Sequence, residues 1–209
     1  MIFDVDGTLT RTNELIFSTF NYIAEKYTGR TFSSREIVAL FGPPEEGAIA
    51  KIVSEARLDD AMNDLYAYYA ENHRVMAALH PGIDEVLAML SERGVALAVF
   101  TGKGRRTALI TLEALGIGKH FQVVMSGSDV CRHKPDPEGI HRILEACSLD
   151  PAGVVMVGDA VADVRASRAA GVRSAAVLWD SYDAEAVLAA APDLVFHRVD
   201  EMNSWFRGV

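Results

Sequence analysis

The chain has 209 residues, of which 50% are hydrophobic and 23% charged, a composition typical of one globular domain with an insert or of two small domains. The formal net charge of -9 gives no electrostatic support for general binding to nucleic acid or to anionic membranes. The sequence has no basic leader, no membrane-length apolar run and no disulfide-type cysteine pattern, so we expect a cytoplasmic protein.

The first predicted elements are a short buried strand and a long helical segment. Residues 2–5 are predicted to form the strand. From Asn13 to Met76, apolar residues recur at intervals of three and four, and no convincing strand occurs. The run Leu-His-Pro-Gly at 79–82 ends this pattern. We therefore predict an all-helical cap at residues 12–78, inserted into a core formed by residues 1–11 and 79–209.

Beyond residue 83, helical patterns alternate with short, continuous apolar runs. The runs lie at residues 95–100, 121–125, 154–157 and 172–178. Gly94, Gly116 and Gly171 separate helical stretches from apolar ones, where left-handed helix caps are common. The alternation of strand and helix is typical of a parallel sheet. The predicted fold class is therefore α/β, a doubly wound parallel sheet with an inserted all-helical cap.

Two carboxylates, Asp4 and Asp6, stand at the end of the first strand. Residues i and i+2 of a strand share a face, so both side chains project into one small volume. Gly7 then allows the chain to turn away sharply. Like charges this close raise the pKa of one group unless a cation or hydrogen bonds compensate. The pair predicts either a bound metal or a carboxylic acid that is ready to donate a proton.

Other polar residues follow the later strands, and ligands of an open parallel sheet bind beyond the carboxyl ends of its strands. Thr101 and Gly102 follow the first of the four apolar runs and lead into a helix, whose N-terminal N–H groups suit a phosphate. Lys134 lies beyond the second run, before a proline that stiffens the backbone. Asp159 follows the third run, and Asp163 comes four residues later. We expect these side chains to meet at one edge of the sheet.

This set of carboxylates with one hydroxyl and one ammonium group favours a hard cation, and Mg²⁺ is the best match because it keeps water and phosphate oxygens in its shell. The simplest substrate is then a phosphate, since phosphoryl transfer needs mainly positioning and charge neutralisation. A carboxylate nucleophile would form an aspartyl-phosphate.

The motifs, in their order along the chain, resemble those of the haloacid dehalogenase-like phosphohydrolases with a helical cap. Residues 4–8, Asp-Val-Asp-Gly-Thr, are similar to the first motif of that family and Thr101 to the second. Lys134 is similar to the third motif, and Asp159 with Asp163 to the fourth. The resemblance covers nearly the whole chain and implies the same α/β core with a cap.

The resemblance also implies a role for each matched residue. Asp4 would be the nucleophile, and Asp6 the general acid that protonates the leaving group and then activates water. Thr101 and Lys134 would hold the phosphoryl oxygens. Mg²⁺ would be bound by the Asp4 carboxylate, the Asp6 backbone carbonyl and Asp159, with Asp163 in support.

Within the family, the second acid, Asp6, argues against the dehalogenase and ion-pumping ATPase branches. The stretch Phe-Gly-Pro-Pro at 41–44 and the stretch Lys-Pro-Asp-Pro-Glu at 134–138 are similar to the phosphoglycolate phosphatase-like branch, including its bacterial pyrophosphatases. This implies a phosphatase acting on a small phosphorylated metabolite, such as a phosphoglycolate-like ester or pyrophosphate. A sugar phosphomutase with the same core and a non-catalytic phospho-ligand binding protein remain as alternatives.

The cap is expected to close over the site, which makes Gly42 and Pro43 candidates for substrate binding. Arg11, near the cap hinge, either contacts an anionic substrate or faces solvent. Lys103, Arg105 and Arg106 are expected to form a solvated basic helix start, with Lys103 close enough to the sheet edge to remain a site candidate.

Overall fold

The computed structural model describes residues 1–208 and contains a six-stranded parallel sheet and a two-stranded antiparallel ribbon. The strands are β1 (Ile2–Phe3), β2 (Thr10–Arg11), β3 (Ala78–Leu79), β4 (Ala98–Phe100), β5 (Val123–Met125), β6 (Val155–Gly158), β7 (Arg173–Val177) and β8 (Leu194–Phe196).

The large sheet has the order β5-β4-β1-β6-β7-β8, and all of its pairs are parallel. After β1, the chain adds β4 and then β5 on one side of β1. It then returns to the other side of β1 and adds β6, β7 and β8 in turn. This confirms the predicted doubly wound sheet. The direction of winding reverses between β1 and β6, where Ile2 is in register with Met156, and ligands bind at such a switch point.

Ten α-helices accompany the strands in the described residues 1–208. They are α1 (Asn13–Thr28), α2 (Ser34–Val38), α3 (Glu45–Ile49), α4 (Leu58–Met76), α5 (Ile83–Glu92), α6 (Arg105–Ala114), α7 (Glu138–Ala146), α8 (Val161–Ala170), α9 (Ala184–Ala189) and α10 (Val199–Arg207). Residues of α5, α6 and α10 pack on one face of the sheet around Phe3, and residues of α7 and α8 pack on the other around Ile2. Within residues 1–208, no helix combines the length and the apolar composition that a membrane span requires.

Helices α1 to α4 form the cap and share an apolar cluster of their own, which includes Leu15, Phe20 and Leu65. The β2–β3 ribbon joins the two chain crossings between cap and core, with Thr10 opposite Leu79. The ribbon lies at the junctions predicted from the sequence, and the domain boundaries themselves stay a prediction.

Strands β1, β4, β5 and β7 are shorter than the apolar runs that predict them, and β6 has the predicted length but is shifted by one residue. The first run ends as a strand at Phe3 rather than at residue 5, and β4 begins at Ala98 rather than at residue 95. Three separator glycines adopt the expected left-handed conformation, with φ of 74° at Gly94, 68° at Gly116 and 72° at Gly171. The edge strand β8 and helix α10 were not predicted.

Candidate active site

Three neighbouring strands deliver the predicted chemical groups to the switch point. Asp4 follows β1, Thr101 follows β4 and Asp159 follows β6, and all three residues are buried. The Asp4 N–H donates to the carbonyl of Val157 at 2.9 Å, which continues the β1–β6 pairing up to the site. The order of the strands therefore brings together residues that are more than 150 positions apart.

Three aspartates form a compact acidic cluster. One carboxylate oxygen each from Asp4, Asp159 and Asp163 lies within 4.8 Å of the others. Glycines make room for this cluster: a Cβ at Gly7 would lie 2.5 Å from Asp159 Oδ2, and a Cβ at Gly158 would lie 2.3 Å from Asp163 Cγ. Gly7 also has a φ of 73°, so its lack of a side chain serves both the turn and the approach of Asp159.

Lys134 is the cation that faces the acidic cluster. Its Nζ lies 2.8 Å from Asp4 Oδ1 and 2.6 Å from Asp163 Oδ1, and it donates to the Phe100 carbonyl at 3.2 Å. Burial lowers the pKa of Lys134, but Asp163 and Asp4 outweigh burial and raise that pKa above its usual value. Lys134 is therefore an ammonium ion that fixes both carboxylates.

One lysine does not balance three buried aspartates. Burial raises the pKa of Asp4 to about 6 against the opposing effect of Lys134. Burial, Asp4 and Asp163 raise the pKa of Asp159 well above its usual value. The raised pKa values of Asp4 and Asp159 mean that the acidic cluster has too little positive charge around it in the protein alone. Its carboxylate oxygens are a donor set that fits a hard divalent cation.

Asp6 points to a different set of partners. Its Oδ1 accepts a short hydrogen bond from the Thr12 hydroxyl, and its Oδ2 lies 3.2 Å from Lys103 Nζ. The Lys103 side chain is 5% exposed, so the expectation that it belongs to a solvated helix start is wrong, whereas Arg105 and Arg106 are exposed as expected. Burial lowers the pKa of Lys103, but Asp6, Tyr69 and Glu45 together raise it above its usual value.

The cap closes directly on this part of the core. Glu45, the first residue of α3, accepts hydrogen bonds from Gly104 N–H through Oε2 and from the Thr107 hydroxyl through Oε1, both at 2.5 Å. The Tyr69 ring centroid lies 4.7 Å from Lys103 Nζ, and the Tyr69 hydroxyl is 2.8 Å from Thr111 Oγ1. These contacts border a cavity of about 210 Å³ between cap and core.

Most of the predicted site residues line this cavity. They are Asp4, Asp6, Gly42, Pro43, Gly102, Lys134, Asp159 and Asp163. Thr101 is buried beside the cavity, and its hydroxyl accepts a hydrogen bond from Lys103 N–H at 3.3 Å. The catalytic and ligand roles of these residues stay predictions.

Three residues that were not predicted as site residues also line the cavity, namely Glu45, Tyr69 and Tyr182. Glu45 begins a helix after two prolines, but nothing in the sequence separates it from the adjacent Glu46. Tyr69 lies four residues from Leu65 and four from His73, all buried on one face of α4. This spacing marks a buried face without telling whether the face meets a ligand or the core.

The chain is similar throughout its length to known hydrolases. The family model for haloacid dehalogenase-like hydrolase matches residues 1–177. The pyrophosphatase PpaX of Bacillus velezensis is 31% identical over 202 residues, which cover 97% of this chain and 93% of the relative.

Two solved structures share the fold. The crystal structure of a predicted phosphoglycolate phosphatase from Haemophilus somnus has a TM-score of 0.87 at 22% identity, and covers 98% of this chain and 96% of its own. The crystal structure of a "putative beta-phosphoglucomutase" from Thermotoga maritima has a TM-score of 0.79 at 27% identity, and the match covers 100% of this chain and 98% of that one. The chain therefore belongs to the haloacid dehalogenase-like hydrolase family, and its relatives in that family include bacterial pyrophosphatases.

Proposed function

We propose that the chain is a Mg²⁺-dependent phosphatase that hydrolyses a small phosphorylated metabolite through an aspartyl-phosphate on Asp4. The observation that carries the proposal is the buried contact of Lys134 with Asp4 and Asp163 at the switch point, beneath the cap. The names of the relatives support a phosphoglycolate-like ester and pyrophosphate as the first substrates to test.

In the first step, a carboxylate oxygen of Asp4 attacks phosphorus, and the bond between phosphorus and the leaving-group oxygen breaks. Asp6 donates a proton to that oxygen, so the leaving group departs as a neutral hydroxyl. Lys134 and Thr101 hold the phosphoryl oxygens. Lys134 Nζ is suited to this role because it already lies 2.8 Å from the attacking carboxylate.

In the second step, water attacks phosphorus while Asp6 accepts one of its protons. The bond between phosphorus and the Asp4 oxygen breaks, and its electron pair returns to the carboxylate. Inorganic phosphate leaves and the enzyme is restored. Asp6 is separated from the acidic cluster by its contacts with Thr12 and Lys103, and these contacts orient it for proton transfer.

Mg²⁺ would be held by the Asp4 carboxylate, the Asp6 backbone carbonyl and Asp159, with Asp163 in support. When bound, it neutralises negative charge on the carboxylates and the phosphoryl group. The donor set fits because three carboxylate oxygens converge within 4.8 Å and face only one lysine within the described residues.

A sugar phosphomutase is the second candidate, since the structure from Thermotoga maritima covers the whole chain at 27% identity. A mutase would return the phosphoryl group to the sugar rather than to water. Product analysis separates the two: a phosphatase releases inorganic phosphate, and a mutase yields an isomeric sugar phosphate. A non-catalytic phospho-ligand binding protein would do neither.

The test is release of inorganic phosphate from a panel of phosphate esters and pyrophosphate, with Mg²⁺ and with EDTA. We expect Mg²⁺-dependent release, and we expect Asp4→Asn to abolish it while the circular dichroism spectrum is unchanged. Release that is indifferent to EDTA would contradict the metal requirement. Turnover by Asp4→Asn at the wild-type rate would refute the nucleophile.

A further inference from the structure

The cavity has two chemically different ends. The core end carries the acidic cluster and Lys134. The cap end is lined mainly by apolar and aromatic side chains, namely those of Ile16, Phe20, Phe41, Leu65, Tyr69 and Tyr182. With phosphorus held at Asp4, the leaving group of a substrate extends towards the cap end.

The cap contributes one charged side chain to the lining within the described residues, and that side chain is acidic. Glu45 places its carboxylate at the N-terminus of α6, where it accepts from Gly104 N–H and from the Thr107 hydroxyl. Free N–H groups and the helix dipole at such a terminus would otherwise attract an anion. The protein's own carboxylate therefore occupies the place that an anionic leaving group would use.

Lys103, the cation nearest to this end, is also already engaged. Its Nζ lies 3.2 Å from Asp6 and 3.9 Å from Glu45, so one ammonium group faces two carboxylates. Arg11 offers no alternative, because it lines a separate hollow with Asn13 and Asp180. A second carboxylate or phosphate on a substrate would meet Glu45 and Asp6 without a free counter-ion in the described part of the cavity.

Aromatic side chains close the apolar end across the boundary between cap and core. The Phe41 ring lies 6.3 Å from the Phe20 ring and 6.0 Å from the Tyr182 ring, centroid to centroid. Phe41 comes from the cap and Tyr182 from the core, so both contact a leaving group only when the cap is closed. Such a surface favours an uncharged, apolar group.

We infer that the substrate is a monophosphate ester of a small, uncharged and apolar alcohol. Glu45 and Phe41 are the specificity-determining residues, since they disfavour leaving groups that carry a carboxylate or a phosphate. The inference rests on the proposed phosphatase function and narrows it: phosphoglycolate and pyrophosphate, whose leaving groups are anionic, would be poor substrates. The cavity of about 210 Å³ suits a small alcohol.

The experiment compares kcat/KM for benzyl phosphate, phosphoglycolate and pyrophosphate with Mg²⁺ present. We expect the wild-type protein to prefer benzyl phosphate about tenfold or more, a size typical of pocket discrimination. Glu45→Gln removes the negative charge, and Phe41→Arg adds a positive one at a residue that is 38% exposed, which leaves the longer side chain a path to solvent. Each variant should raise the ratio of kcat/KM for the anionic substrates to kcat/KM for benzyl phosphate by about tenfold. Glu46→Gln, next to Glu45 and exposed, is the matched control and should leave the ratio unchanged.

A wild-type preference for phosphoglycolate or pyrophosphate would overturn the inference and leave the phosphatase function intact. Equal ratios in wild type, Glu45→Gln and Phe41→Arg would also overturn it, because the cap would then not select the leaving group. Absence of phosphate release from all substrates would refute the proposed function itself, and the inference with it.

Discussion

Lys134→Met tests the electrostatics of the acidic cluster. The ammonium group lies 2.8 Å from Asp4 and 2.6 Å from Asp163, and its side chain is only 10% exposed. Methionine keeps the length of the side chain but leaves two buried carboxylates without their partner. Breaking a buried ion pair by removing one partner costs roughly 3–5 kcal/mol. We expect a loss of that size in the free energy of unfolding of the metal-free protein.

The pH dependence of this loss has a definite sign. Burial raises the pKa of Asp4 from 3.8 to about 6, and Lys134 opposes that rise, so Lys134→Met raises the value further. The stabilisation that comes from a raised carboxyl pKa is complete below the pKa of the unfolded state. It is lost as pH rises through the pKa of the folded state. The variant should therefore lose more stability, relative to wild type, at about pH 7.5 than at about pH 5.

Urea unfolding in EDTA at the two pH values measures both effects, provided the slope of the transition is unchanged. Lys119→Met, at an exposed position, is the control and should change stability by no more than about 0.5 kcal/mol. The double variant Lys134→Met/Asp163→Asn should recover part of the loss, because it removes one of the unpaired charges. A loss below about 1 kcal/mol in Lys134→Met, or an equal loss at both pH values, would show that Lys134 does not stabilise the buried carboxylates.

Two further predictions concern the metal and the core. Burial raises the pKa of Asp4 to about 6, so protons compete with Mg²⁺ for this carboxylate in acid. The rise in Tm that Mg²⁺ causes should therefore be larger at about pH 7.5 than at about pH 5. An equal rise in Tm at the two pH values would contradict this prediction. Gly139→Ala would place a Cβ 2.2 Å from the Phe100 ring, so we expect a loss of roughly 1–3 kcal/mol in urea unfolding. Gly153→Ala, where nothing lies within 4 Å of the added atom, is the control, and equal stability of the two variants would show that the Phe100 contact is unimportant.

The main elements of the core could be predicted because they depend on local patterns. Continuous apolar runs mark β4 to β7, and Gly94, Gly116 and Gly171 mark the ends of α5, α6 and α8. The edge strand β8 is harder to recognise, because it has three residues and only Phe196 is buried. The β2–β3 ribbon has two residues in each strand, and its partners Thr10 and Leu79 are far apart in the sequence. Long-range pairing of this kind leaves no local signal.

The same distinction applies to the site. Asp4, Lys134 and Asp159 follow strands, so the parallel sheet alone predicts that they meet. The burial of Lys103 could not be predicted, because in the sequence it begins a basic stretch. Its surroundings come from Asp6 in the core and from Glu45 and Tyr69 in the cap, which only the closed arrangement of cap and core brings together.

In the proposed mechanism the phosphoryl group passes through Asp4, and trapping it on that residue tests the mechanism. Asp6→Asn should slow hydrolysis of the aspartyl-phosphate, because its side chain cannot activate water. With Mg²⁺ and p-nitrophenyl phosphate, whose leaving group needs no proton, acid-quenched Asp6→Asn should gain the mass of one phosphoryl group on the peptide that contains Asp4. The double variant Asp4→Asn/Asp6→Asn should gain none. A phosphoryl group on another residue, or equal labelling of the two variants, would exclude Asp4 as the nucleophile.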